Sequence, residues 1–300
     1  MKKTVKALVA GLVLAISGTA AAFDCKAPVK ILLTNDDGYQ APGIEALQSA
    51  FTKAGFDVTM IAPDKNNSGI STALNFGKVA VTKDAEHKIY AVGGTPATSV
   101  LLGVTGILGP DHRPDLIVSG INEGANIGPA TPISGTVGAT VAGVQLLQPP
   151  VPGLAFSTDL PTKGNPRDPQ NLEHFAQVAE FATRLIARLR DEGCATGRIM
   201  KPREILNVNY PALPPALVKG VKAAVQGQSS YFNISFQETA PGEYTAPFKR
   251  VTPGPDVEDS DTTLFGEGYI TVAPLDGDYT APENAVPRVG LQRGLKDLKP

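Results

Sequence analysis

The stretch ILLTNDDGYQAPGIEALQSAF, residues 31–51, decides the fold. It opens with a short apolar run typical of a β-strand and closes with an amphipathic helical pattern whose apolar face carries Ile44, Leu47 and Phe51. Between the two stand adjacent carboxylates, Asp36 and Asp37. Because like charges side by side repel, this pair either caps a turn or binds a cation.

Continuous apolar runs rich in β-branched residues recur along the chain. They lie at residues 29–34, 56–62, 89–92, 115–120, 153–157 and 205–210. Since they do not alternate apolar and polar residues, they predict strands buried on both faces, as in a parallel sheet. Helical patterns separate them, among them 136–147 and 171–190. Alternating strands and helices predict a doubly wound α/β fold with a mostly parallel sheet.

The composition changes after about residue 211 to proline, glycine, serine and threonine, with isolated β-like runs such as YITVAP at 269–274. We therefore expect one domain with its core at about 29–210 and a β-rich extension, 211–300, that leaves the main sheet. The extension is too poor in apolar periodicity to form its own core, so we expect it to pack against another subunit. Its end, 284–300, is either an oligomerisation element or a mobile tail.

Residues 1–22 have the three-part layout of a cleavable secretory signal peptide. Lys2, Lys3 and Lys6 precede an apolar stretch, and small residues end in an A-x-A cleavage site after Ala22. We therefore expect a periplasmic or secreted protein that begins at Phe23. The apolar stretch is too short to span a bilayer, and no later segment is apolar enough, so no membrane partner is expected.

Charge and cysteine content constrain the mature chain further. Loss of the three signal lysines would change the formal charge from −2 to about −5, which argues against binding to nucleic acid polymers. Two cysteines, Cys25 and Cys194, remain after cleavage. An even count in an exported protein permits one disulfide, but the sequence does not show that the two residues meet.

Polar loops follow the predicted strands at the edge of the sheet where α/β proteins bind ligands. Asn35-Asp36-Asp37-Gly38 follows the first strand, PDKNNSG at 63–69 the second, and INEGAN at 121–126 the run at 115–120. Carboxylate, hydroxyl and amide oxygens without thiolate or imidazole favour Mg²⁺, Mn²⁺ or Ca²⁺. Ser134-Gly135-Thr136 at a predicted helix start is an anion seat of the kind phosphates use. Each segment alone is typical of an ordinary turn or cap, but together they indicate phosphoester chemistry.

Competing motifs are absent from the sequence. It has no Gly-rich loop ending in Gly-Lys-Ser/Thr, no dinucleotide fingerprint and no nucleophile elbow. The histidines, His87, His112 and His174, do not follow strand ends, so we interpret them as surface or structural residues.

The ordered set ILLTNDDGYQAPGI, APDKNNSG, GTPATSV, PDLIVSGINEGANIG and ISGTVGAT, followed by ILNVNYP and GYITVAPLDGDYT, resembles the stationary-phase survival protein family, SurE. This family comprises metal-dependent 5′/3′-nucleotidases and acid phosphatases. The resemblance implies a Rossmann-like core, a β-hairpin and C-terminal arm that build homodimers or homotetramers, and a divalent metal. Carried over by position, it implies metal ligands at Asp36, Asp37, Ser68 and Asn122 and phosphate-binding residues at Asn126, Ser134, Gly135 and Thr136.

We expect Asp36, Asp37 and Asn122 to act in catalysis, on a nucleotide or another phosphomonoester. Two departures from the family pattern concern substrate preference. Thr98 stands in GTPAT where an aspartate is usual, and the loop IGPATPI at 127–133 contains two prolines. The alternatives are a broad acid phosphatase or short-chain polyphosphatase, and a periplasmic protein that binds a phosphorylated solute without turnover.

Overall fold

The structure is a computed structural model that describes residues 23–280 of the chain. The predicted signal peptide at 1–22 and residues 281–300 of the predicted C-terminal arm lie outside these residues. The strands are β1 Lys30–Thr34, β2 Asp57–Pro63, β3 Val81–Asp84, β4 Ile89–Val92, β5 Leu116–Glu123, β6 Gly153–Thr158, β7 Ile205–Tyr210, β8 Val221–Ala223, β9 Phe232–Ile234, β10 Gln237–Ala240, β11 Glu243–Thr245, β12 Phe248–Arg250 and β13 Ile270–Leu275. The helices are α1 Pro42–Lys53, α2 Pro96–Leu102, α3 Gly135–Gln145, α4 Pro169–Thr196 and α5 Asp261–Gly266.

The main sheet has nine strands in the order β3-β4-β2-β1-β5-β6-β7-β13-β8. From β4 to β7 all neighbours are parallel, while β3 and β13 run antiparallel to β4 and β7. These parallel strands match the apolar runs of the sequence. The predicted doubly wound α/β fold is confirmed.

Helices cover both faces of the sheet and bury one core on each side. On the first face, α1 packs against α4, and the predicted apolar face of α1 is fully buried at Ile44, Leu47 and Phe51. On the second face, α2 packs against α3, where Ala139 and Ala142 are fully buried. Small residues let α3 approach the strands closely, because a Cβ at Gly143 would lie 2.3 Å from the Ile117 side chain of β5.

The prediction that the extension leaves the main sheet is wrong for part of it. Strand β13 pairs with β7 over its whole length, and β8 pairs with β13. Without β13, the buried strand β7 would end the sheet with a row of unpaired backbone groups, so the returning chain satisfies them. The rest of the extension forms nested β-hairpins, in which β9 pairs with β12 and β10 with β11. We refer to residues 231–250 as the hairpin.

A disulfide joins Cys25 to Cys194, whose Cα atoms lie 5.5 Å apart. It ties the first described residues to the end of α4. Beside it, the backbone N–H of Phe23 donates to the carbonyl of Gly197 at 3.0 Å. The pairing that the sequence left open is thus present in the structure. None of the helices within residues 23–280 is long and apolar enough to cross a membrane.

Candidate active site

The polar loops meet where the strand order reverses, between β1 and β5. Chain connections run from β1 through β2 to β4 on one side and from β5 through β6 to β7 on the other. A cleft of about 830 Å³ opens at this point. Several residues predicted from the sequence line it together: Asp36, Ser68, Asn122, Asn126 and Ser134. This is where doubly wound proteins bind ligands.

Asp36 is buried, with 3% of its surface exposed, and is held from several directions. The hydroxyl of Thr136 donates a hydrogen bond to Asp36 Oδ1, and the backbone N–H groups of Gly135 and Thr136 donate hydrogen bonds to the same carboxylate. Burial raises the pKa of Asp36, and these hydrogen bonds oppose the rise. Gly135 permits the close approach, because a Cβ there would lie 2.8 Å from Asp36 Oδ2. The start of α3 therefore fixes one catalytic candidate.

Asp37 lies beside Asp36 in a region of negative charge. Its Oδ1 accepts from Asn66 Nδ2 at 3.3 Å, and its Oδ2 accepts from the Glu123 N–H at 3.3 Å. Burial first, then the negative charges of Asp36 and Glu123, raise the pKa of Asp37 well above its usual range. Within residues 23–280, neither Asp36 nor Asp37 forms an ion pair with a lysine or arginine. A bound cation would compensate both carboxylates.

Asn122 and Ser68 add neutral oxygen atoms to the two carboxylates. Asn122 Nδ2 donates a hydrogen bond to the carbonyl of Gly124 at 2.6 Å. The side-chain oxygen Oδ1 is left as the atom that could bind a cation. Ser68 is exposed, and its backbone N–H donates to Asn66 Oδ1 at 2.9 Å. Asn66 thus contacts both the Asp37 carboxylate and the Ser68 backbone.

The donor set at this edge fits a hard divalent cation. Its side chains, Asp36, Asp37, Ser68 and Asn122, offer oxygen atoms only, as Mg²⁺, Mn²⁺ and Ca²⁺ prefer. Across residues 23–280 no three His, Cys, Asp or Glu side chains gather into a potential metal cluster. A cation at this edge would therefore need the amide and hydroxyl oxygens as well as the two carboxylates.

The predicted phosphate-binding residues fall into two groups. Asn126 and Ser134 line the cleft. Gly135 and Thr136, by contrast, are buried against Asp36, and Thr136 has no exposed surface. Thr136 therefore supports Asp36 in this structure, whereas the sequence had placed it toward the phosphate.

A network of buried amides holds Asn126. Its Nδ2 donates to Ser157 Oγ at 2.9 Å, while its carbonyl accepts from Asn207 Nδ2 at 2.8 Å and Asn209 Nδ2 at 3.2 Å. The Asn126 N–H donates to Asn209 Oδ1 at 2.7 Å. The sequence contained a signal for this network, since two asparagines interrupt the apolar strand ILNVNY. A rigid Asn126 is suited to positioning an anion.

Sequence reasoning missed the contacts between the hairpin and the cleft. Asp159 pairs with Arg250 of β12 at 2.6 Å and accepts from the Ala125 N–H at 3.2 Å. The Tyr231 hydroxyl donates to the carbonyl of Ala125. Asp159 directly follows β6, so the strand-end rule could have found it. The hairpin residues are more than 70 positions further along and carry no local signal.

The two departures from the family pattern have different places in the structure. Thr98 is buried in α2, where its hydroxyl accepts from the Asn75 N–H at 2.9 Å. It therefore fastens the loop that also carries Ser68, and it is not among the residues that line the cleft. The proline-containing loop forms a 3₁₀ turn, Gly128–Ile133, from which Ala130 and Ile133 line the cleft.

Of the three histidines, His174 is buried and its Nε2 contacts Thr158 Oγ1 at 2.7 Å. This contact agrees with the predicted structural role.

Fold and site together define a doubly wound α/β protein with an acidic, oxygen-rich cleft at its switch point. A family model described as "Survival protein SurE" matches residues 31–233. The chain is 37% identical over 260 residues to a protein of Polaromonas naphthalenivorans named 5′-nucleotidase SurE, covering 85% of this chain and 94% of that protein. It is 34% identical over 257 residues to the protein of the same name from Actinobacillus succinogenes, covering 84% and 94%.

Among solved structures, the SurE protein from Aquifex aeolicus superposes with a TM-score of 0.70 at 32% identity, covering 89% of this chain and 99% of that one. The chain belongs to the SurE family. The resemblance drawn from the sequence motifs is thereby confirmed.

Proposed function

We propose that this protein is an exported, divalent-metal-dependent phosphomonoesterase that hydrolyses nucleoside monophosphates to nucleoside and phosphate. The observation that carries the proposal is the adjacent carboxylate pair of buried Asp36 and half-buried Asp37, which has no cationic ion-pair partner among the described residues. The two carboxylates would repel a bound phosphate group unless a cation lay between the carboxylates and the phosphate. The name 5′-nucleotidase of the relatives supports the substrate class.

Asp36, Asp37, Ser68 and Asn122 would hold the cation, for which Mg²⁺ or Mn²⁺ is the first choice and Ca²⁺ the alternative. When bound, the cation would supply Lewis-acid neutralisation of phosphoryl charge and help to orient or activate the attacking group. The oxygen-only donor set and the raised pKa values of both carboxyls support this assignment.

The chain's own residues would position the phosphoryl group. Asn126 and Ser134 face the cleft, and the second Nδ2 proton of Asn126 is available beyond its bond to Ser157. Donors that are fixed before the substrate arrives stabilise the charge that spreads over the phosphoryl oxygens in the transition state. Thr136 would keep Asp36 aligned while the bond between phosphorus and the leaving oxygen breaks. Over the whole reaction one water supplies the oxygen that phosphorus gains and the proton that the nucleoside takes up.

Phosphate release from adenosine monophosphate tests this function directly. We expect the purified mature protein to release phosphate with Mg²⁺ or Mn²⁺ present, and to lose nearly all activity in excess chelator because the carboxylate pair is then uncompensated. Activity should return on adding back the cation. Unchanged activity in chelator would contradict the metal role. Binding of the nucleotide without phosphate release would favour a solute-binding protein.

The broader alternatives differ from this proposal in substrate preference. A broad acid phosphatase would hydrolyse a nucleotide and a small phosphomonoester at similar rates, whereas a short-chain polyphosphatase would prefer polyphosphate. A panel of these substrates measured at equal concentration decides between them.

Export is part of the proposal because of the N-terminal layout and the disulfide. The pattern of residues 1–22 is that of a signal peptide, and disulfides such as the bond between Cys25 and Cys194 form and persist mainly in oxidising compartments. We expect the mature protein to begin at Phe23 in a periplasmic or secreted fraction. N-terminal sequencing of the protein recovered from an exporting host measures this, and a full-length chain in the cytoplasm would contradict it.

Assembly into homodimers or homotetramers is also proposed. Strand β8 ends the main sheet, and its Val221 is 53% exposed, with Leu217 at 63% and Val225 at 48% nearby. An open edge with exposed apolar side chains favours pairing with another chain. Light scattering of the full-length protein measures the oligomeric state, and a strict monomer would exclude the assembly.

A further inference from the structure

The cleft is lined by two chemically different sets of side chains. The polar set consists of Asp36, Asn122, Asn126 and Ser134. The apolar and aromatic set, which we call the wall, consists of Leu160, Ala212, Tyr231, Phe232 and Ile234. The volume of about 830 Å³ is in the range of sites for whole organic ligands and exceeds what a phosphate group requires. The cleft therefore has room for the rest of a substrate.

The hairpin supplies Tyr231, Phe232 and Ile234 to this wall, and it is fastened to the chain segment that carries Asn122 and Asn126. Ala125 stands between Asn122 and Asn126, and both of its backbone groups are held. Its carbonyl accepts from the Tyr231 hydroxyl, and its N–H donates to Asp159, which in turn pairs with Arg250 at 2.6 Å. These contacts fix the distance between the wall and the polar groups, so that one ligand can contact both.

The charge of the wall favours a neutral group over a second anion. Arg250 is already paired with Asp159, whose side chain is only 9% exposed, and it also lies 5.9 Å from the centre of the Tyr231 ring. Lys163 is the other basic residue that lines the cleft, and it stands on the loop after β6. Phe232 and Ile234 instead present apolar surface from one strand, β9. Aromatic surface of this kind stacks on planar bases regardless of their identity.

We propose that Phe232 and Ile234, together with Leu160 and Ala212, form a leaving-group subsite that binds the base of a nucleotide. This inference rests on the proposed phosphomonoesterase function and adds the place where the leaving group lies. It attributes the preference for nucleotides over phosphate esters of small aliphatic alcohols to the hairpin. The cation and phosphate residues would then be shared by all substrates.

The test compares kcat/KM for adenosine monophosphate and glycerol phosphate in matched variants. Phe232→Ala should lower kcat/KM for the nucleotide by about 5- to 150-fold, the usual effect of losing one stacked base, mainly through KM. Glycerol phosphate should be hydrolysed at an unchanged rate. Phe232→Tyr, which keeps a ring, should retain the preference, and Ile234→Ala should reduce it partly. Phe236→Ala is the control, because Phe236 lies four positions on, is 72% exposed and is outside the cleft lining.

Adenosine binding, measured by calorimetry on the same proteins, separates this inference from the proposed function. Binding that Phe232→Ala weakens supports the subsite even if no phosphate is released, and in that case only the phosphomonoesterase proposal fails. Phosphate release without adenosine binding would support the phosphomonoesterase proposal and overturn the proposed base subsite. Equal losses for both substrates in Phe232→Ala, or a preference for tripolyphosphate that Lys163→Met removes, would also overturn it.

Discussion

Asp36→Asn is expected to lower the rate of phosphate release by at least about a hundredfold, since even the outer partners of a metal site cost 10- to 100-fold when they are changed. Asparagine keeps an oxygen that can accept from Thr136, so the geometry at the start of α3 should persist. What it removes is the negative charge that a cation and the reacting group would need. The effect should therefore appear in kcat far more than in the fold.

Stability measurements separate a chemical role of Asp36 from a structural one. Burial raises the pKa of both Asp36 and Asp37, which means that the charged pair is unfavourable without a cation. In the metal-free protein, Asp36→Asn should leave the melting temperature unchanged or slightly higher. Adding Mg²⁺ or Mn²⁺ should stabilise the wild type by mass action and the variant less.

A neighbouring exposed carboxylate provides the matched control. Asp64 follows β2 at the same edge of the sheet but is exposed and outside the cleft lining. Asp64→Asn should keep the wild-type rate and metal response. If Asp36→Asn also keeps most of the rate, the carboxylate pair is only a turn and the proposed function loses its central observation.

The site was largely predictable from the sequence because its residues stand at strand ends. Asp36, Ser68 and Asn126 follow buried parallel strands and Asn122 lies at the end of one, and a parallel sheet brings such positions to one edge whatever the loop lengths are. The roles within the site were less predictable. That Thr136 turns to Asp36 and away from the cleft depends on how closely α3 packs on the first loop, which Gly135 permits.

The hairpin and the end of the sheet could not be placed by such rules. Tyr231 and Arg250 reach the cleft only because the chain after β7 folds back over the loop at Ala125, a long-range contact without a periodic signature. The run that becomes β13 has a clear β pattern, but nothing local shows that it pairs with β7 instead of another subunit. Strand identity was thus accessible, and strand partnership was not.

Removal of the disulfide is expected to lower the free energy of unfolding by about 2–5 kcal/mol, or roughly 5–15 °C in melting temperature for a domain of this size. The bond between Cys25 and Cys194 closes a loop of 169 residues that includes most of the sheet, so its loss gives the unfolded chain much more freedom. The disulfide lies near the start of β1, whereas the candidate active site lies at the carboxyl ends of the strands. At temperatures where the protein stays folded, kcat/KM should therefore change little.

The double variant Cys25→Ser/Cys194→Ser and the reduced wild type should melt together below the oxidised wild type. The reduced wild type keeps both sulfur atoms and is therefore the control for any packing change caused by serine. A smaller shift would mean that the residues around Phe23 detach locally, because the bond from the Phe23 N–H to Gly197 and the partial burial of that ring are the other contacts that anchor them. Equal melting of oxidised and reduced protein would contradict a stabilising role.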